Sequence, residues 1–171
     1  MRMTKDTNSL GSLLTKAVEG VRIFGTAIGY YLVYDSYGVD DYTGALMRLV
    51  LTLGIGLCGT CAVESLLLSK ATAKEKGYDL GEDRVSPYQI QNGMWFVSGT
   101  FMAGFVYWVY PTSKPAAVTY VLLVLIFFGL SAINHAYQAV RHGNLTWQNL
   151  NRPFLFAALI AASVPVVAAA F

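Results

Sequence analysis

Cys58-Gly59-Thr60-Cys61 sets two thiols three residues apart, the spacing used in thiol–disulfide exchange. Such pairs react through a thiolate. They usually stand at a helix start, where the helix dipole lowers the thiol pKa. Here the pair falls about two-thirds of the way along an apolar run, where burial favours the neutral thiol. Gly54, Cys58, Cys61, Ala62 and Ser65 also form a row of small residues, the usual packing face of helices in lipid. The spacing therefore fits helix packing better than redox chemistry.

A second pattern is more suggestive. Ser131, Asn134, His135, Gln138 and His142 recur at spacings of three and four, a polar stripe on an otherwise apolar helix. A stripe of this kind should face protein or a water-filled cavity, because polar groups facing lipid are costly. Glu64 belongs at similar depth, as do Gln89, Gln91 and Asn92. Depth alone thus gathers Glu64, Gln89, Gln91, Asn92, Asn134, His135 and Gln138 into one candidate ligand-binding cluster, with Glu64 and His135 able to share a proton. The competing reading is hydrogen bonding between helices that fixes a bundle. One histidine and one carboxylate do not make a metal shell. His135 and His142 share a helix, which disfavours haem ligation by two histidines. There is no phosphate-binding glycine loop, serine nucleophile motif or HExxH, and the sequence names no cofactor.

The elements that would carry these residues are apolar helices. Apolar residues make up 55% of the 171 and charged residues 13%, against roughly 25% in soluble domains. Five runs approach the ~20 residues that cross a bilayer: about 13–34, 43–68, 90–110, 116–138 and 153–171. The expected fold is all-α, an integral membrane bundle of four core transmembrane helices plus one N-terminal helix. No cleavable signal is expected, and a net charge of +2 without a basic tract does not suggest nucleic acid. With five crossings, ten of the twelve basic residues fall on one side and only Arg48 and Lys114 on the other. The positive-inside rule then puts the N-terminus inside and the C-terminus outside. Tyrosines and tryptophans flank both predicted boundaries: Tyr30, Tyr31, Tyr34, Tyr37, Tyr42, Tyr107, Trp108, Tyr110 and Tyr120 outside, and Tyr78, Tyr88, Trp95, Tyr137 and Trp147 inside. The charged stretch from Lys70 to Arg84 reads as a solvated loop, and Pro165 should kink the last span. The first run is ambiguous. Lys16, Glu19 and Arg22 share an arc that also fits a helix lying on the membrane surface. Gly25 and Gly29 have the GxxxG spacing that lets another helix approach.

The second half resembles small DoxX-like four-helix membrane proteins. The resemblance covers residues 49–171 and rests on Ser86-Pro87-Tyr88-Gln89 with Gly93, the Asn134-His135 pair, and Asn144 and Asn149 before the last apolar run. It implies a four-helix core with one added helix and no particular reaction. In that pattern a histidine stands where this chain has Glu64, and an acidic residue where it has Gln91, so no acid–base chemistry carries over. Vitamin K epoxide reductases also set a CxxC in a small membrane bundle, but they relay electrons through a second cysteine pair, which this chain lacks.

The expected role is a non-catalytic multi-pass subunit or accessory protein, set among membrane lipids and packed against other membrane subunits or copies of itself. The plasma membrane of a prokaryote is its expected location. The alternatives are a small-ligand binding or transport bundle with an inner polar cavity, and a membrane oxidoreductase using Cys58 and Cys61 or a quinone.

Overall fold

Local capping sets where the helices begin and end. The Asp41 carboxylate accepts the Gly44 N–H at 2.8 Å, and the Ser113 hydroxyl accepts that of Ala116 at 3.4 Å. Pro87 and Pro115 sit in first turns, where a missing N–H costs nothing. Gly143, with φ 63°, closes a helix in the left-handed conformation that glycine adopts freely.

The computed structural model describes residues 3–75 and 86–171. Within them the chain is all-helical: α1 (Met3–Tyr37), α2 (Tyr42–Leu67), α3 (Ser69–Glu75), α4 (Pro87–Val109), α5 (Lys114–His142) and α6 (Trp147–Ala168). A long helix covers each of the five apolar runs, and α1 begins about ten residues before the first of them. Part of the expected solvated loop is the short helix α3. Arg2, Lys76, Tyr78 and Arg84, counted above toward the inner side, lie outside the described residues. Among the described helices, three are long and apolar enough to cross a membrane: Tyr42–Leu67, Lys114–His142 and Asn149–Ala168. The other two long helices are not among these three. α1 carries Lys16, Glu19 and Arg22, and α4 carries Gln89, Gln91, Asn92, Ser98 and Thr100.

Helix α2 is the centre of the bundle. Leu46, Leu49, Val50, Leu53 and Cys58 are fully buried on it, against Val33 of α1, Ala103 of α4, Val121 and Val124 of α5 and Val166 of α6. Between Thr52 and Gly59 it widens into a π-helix. Three glycines weaken the regular turn there, and hydroxyls take up the loosened carbonyls. Thr60 donates to Gly56 O at 2.8 Å, and Thr100 reaches across from α4 to Gly54 O at 3.0 Å.

Neighbouring helices set the frame for the site. α1 runs antiparallel to α2, with Gly29 against Thr52 and Arg22 against Thr60, and continues past α3, with Gly11 against Ala71. It runs parallel to α6, joined by Glu19–Arg152, Tyr30–Ser163 at 2.7 Å and Tyr34 to the Ala162 carbonyl at 2.9 Å. α5 packs chiefly on α6 and on the first half of α2. α4 packs along the second half of α2 and meets α5 through rings, with Trp95 stacked on Phe127 at 3.8 Å.

The polarity of α1 is inverted relative to a water-soluble helix. Thr15, Arg22 and Ser36 are buried, whereas Phe24 is 72% exposed and Val21, Ile28 and Tyr31 also point outward. Glu19 and Arg22 therefore turn into the bundle and do not form a solvated arc. Of the two spaced glycines, Gly29 lies against α2 and Gly25 faces open space.

Candidate functional site

The polar centre of the molecule lies where α1 crosses the end of α2. Arg22 Nη2 donates to Glu64 Oε2, and Arg22 Nε donates to the Thr60 hydroxyl at 3.1 Å. Both charged side chains are almost completely buried, at 5% and 6% exposure. One turn earlier on α1, Glu19 takes Arg152 of α6 at 3.4 Å, and this pair is mostly buried, though less completely than the first. Two carboxylates and two guanidiniums thus join three helices and balance in charge. A single buried charge is expensive, and a close partner with further hydrogen bonds offsets much of that cost. Helical backbone supplies the precision. Arg22 and Glu19 are three residues apart and share the inward face of α1, while Thr60 and Glu64 are four apart and share one face of α2.

From depth alone Glu64 and His135 are expected to share a proton. The structure gives each a different partner. His135 Nδ1 meets Asn149 Oδ1 at 2.7 Å, and Asn149 Nδ2 donates to the Asn144 carbonyl at 2.9 Å. With the amide so oriented, Nδ1 is the protonated ring nitrogen. Asn149 is fully buried. These contacts tie the end of α5 to the start of α6, and the Asn144 N–H adds a bond to the Gln138 carbonyl at 3.2 Å. His135, Asn144 and Asn149, which carry part of the family resemblance, thus form one interhelical clamp.

The remaining members of the expected cluster are dispersed. Gln89 Nε2 donates to the Ser69 carbonyl at 3.1 Å, closing α4 against the start of α3. Gln91, Asn92 and Asn134 are exposed, and Gln138 is half-buried. Of the seven, Glu64, Gln89 and His135 thus serve at three separate helix contacts. The physical reason is neighbour order. Glu64 sits on the part of α2 that packs against α1 and α4, whereas α5 lies beside the first half of α2.

Cys58 and Cys61 form no disulfide, and both are buried. Cys58 is hydrogen-bonded to the Tyr120 hydroxyl, which itself donates to the Gly99 carbonyl at 3.0 Å. Gly99 lies directly against the Cys58 sulfur. Cys58 is therefore packed between α4 and α5.

Arg22, Glu19 and Arg152 were not among the candidate site residues. A signal for them existed. Glu64 is the lone carboxylate of α2 after its capping turn, and such a group in an apolar helix needs a cation from a neighbour. Arg22 is the nearest basic residue across the short α1–α2 turn at comparable depth.

Two grooves open on the outer surface. One, of about 500 Å³, lies between the π-helical part of α2 and α4, lined by Ile55, Phe101, Phe105 and Trp108. The other, of about 440 Å³, lies between α5 and α6, lined by Ile126, Leu130, Ile133, Phe156 and Ile160. Both are walled almost entirely by apolar side chains. No family model, curated protein or solved structure matches the chain.

Proposed function

We propose that the chain is a multi-pass membrane subunit or accessory protein, whose internal polar groups fasten its own helices and whose outward apolar grooves take partner helices or lipid. One observation carries this reading. In Asn149–Ala168, long and apolar enough to cross a membrane, only 17% of the most apolar window is buried within the chain. So apolar a surface needs a cover, and lipid or another helix provides it. The inverted polarity of α1 supports the same setting, since outward phenylalanine, isoleucine and valine suit lipid and not water. The DoxX-like resemblance fits it too, with α2, α4, α5 and α6 as the four-helix core and α1 as the addition.

The finer topology in this reading has five crossings, a cytoplasmic N-terminus and an outside C-terminus, in the plasma membrane of a prokaryote. Counting α1 as a crossing is supported by its register. From Glu19 to Tyr34 it lies beside Thr52–Glu64 of α2 and Arg152–Ser163 of α6, and so shares their depth. Reporter fusions at Lys76 and at Phe171 are expected to give opposite signals. Matching signals sink the five-span arrangement.

The accessory role is tested by mild-detergent purification from native membranes, with a photocrosslinking residue placed at Phe101 and, separately, at Ile160. A discrete crosslinked product of one partner, or of a second copy of this chain, is the expected result. Crosslinks to lipid alone at both sites, with the protein monomeric, leave the subunit reading without support and favour a free-standing bundle.

A further inference from the structure

The polar arc of α1 suits two resting places. Seen alone, Glu19 and Arg22 beside Leu13, Leu14, Val18 and Val21 make a helix fit to lie along a membrane surface. Within the fold, the same two charges turn inward and meet Arg152, Glu64 and Thr60. As a separate segment α1 is a poor span, because each unpaired charge at bilayer depth costs several kcal/mol. From Thr15 to Gly29 the row it turns inward, Thr15, Arg22, Thr26 and Gly29, offers little apolar area to hold it against α2, and its buried apolar contacts, Val33 with Tyr30 and Tyr37, gather toward the far end. Most of its large apolar residues, among them Leu13, Val21, Phe24 and Ile28, face outward, where a lipid surface would serve them equally well in either placement.

We propose that α1 is a conditional span: the pairs Arg22–Glu64 and Glu19–Arg152 select its crossing position, and without them the helix settles at the membrane surface. The proposal rests on the membrane reading above. It makes α1 a two-state element whose position is coupled to a carboxylate on α2 and a guanidinium on α6. Anything that separates the ends of those two helices from α1 releases it.

The test uses the full chain with Cys58→Ala and Cys61→Ala, so that an introduced cysteine is the only thiol. Thr26→Cys sits near the middle of residues 13–34, on the inward face of α1 against Gly56 of α2, a face that meets water once the helix lies on the membrane surface. With the native charges in place, it should resist a water-soluble maleimide in intact and in opened membrane vesicles. Adding Glu64→Arg should raise its labelling about tenfold, because Arg22 then faces a like charge. Combining Glu64→Arg with Arg22→Glu should return labelling to the starting level, since the pair is rebuilt in reverse. If Glu64→Arg alone is degraded, the reversed pair decides. Restored protein with a shielded thiol at 26 supports the proposal, and no restoration overturns it. Unchanged labelling with Glu64→Arg in an inserted protein also overturns it. Free labelling of Thr26→Cys with all native charges present overturns the crossing of α1 in the membrane reading together with it. Reporters at Lys76 and Phe171 keep their sides throughout if only α1 moves.

Discussion

Arg22→Leu is expected to destabilise the protein by about 3–5 kcal/mol, the range seen when one partner of a buried ion pair is removed. The two side chains are almost fully enclosed, so water cannot take over the lost contact. The substitution leaves the Glu64 carboxylate without its guanidinium and the Thr60 hydroxyl without its donor. Arg22→Lys keeps the charge but cannot fork between Glu64 and Thr60, so it should fall between the two. The decisive comparison is the double variant Arg22→Leu with Glu64→Leu. Replacing both charges by apolar groups removes the uncompensated carboxylate, and most of the lost stability should return. Denaturation in mixed micelles, followed by circular dichroism, measures all four proteins. A single variant within about 0.5 kcal/mol of the parent would show that the pair contributes little to holding α1.

How far the sequence reveals this arrangement depends on which physical quantity is asked of it. Apolar run lengths depend only on local composition, and all five runs are helical in the structure. The row Gly54, Cys58, Cys61, Ala62 and Ser65 also follows from local spacing, and every member of it is buried. Partner identity is a different matter. The polar stripe on α5 shows that His135 must face protein, but not which neighbour it meets. That neighbour depends on the rotation of each helix about its axis and on the order of helices around α2. Depth matched Glu64 with His135, and neighbour order separated them. The same limit explains α1. A polar arc looks alike whether it faces solvent or the inside of a bundle in lipid, and only the positions of Glu64 and Arg152 decide which. The π-helical segment was equally hidden, because the hydroxyl of Thr100 that stabilises it comes from another helix.

The second large effect is expected at Gly54, in that segment. A Cβ on Gly54 would collide with the Cβ of Ala103 and lie 2.9 Å from the Tyr120 hydroxyl. The backbones of α2 and α4 are close enough here for Thr100 to bond the Gly54 carbonyl. Gly54→Val should therefore force the two helices apart and cost about 3 kcal/mol, at the upper end of overpacking in a filled interior. The separation would also stretch the Thr100 bond, adding roughly 1 kcal/mol. A smaller pair of changes isolates the steric cause. Gly54→Ala alone should destabilise, and Ala103→Gly added to it should restore much of the loss by moving one methyl group across the interface. The readout is again denaturation in micelles, with crosslinking between α2 and α4 as a check on their distance. If Gly54→Ala is harmless and Ala103→Gly adds only its own loss, the two helices tolerate separation, and the row of small residues on α2 has no packing role at this point.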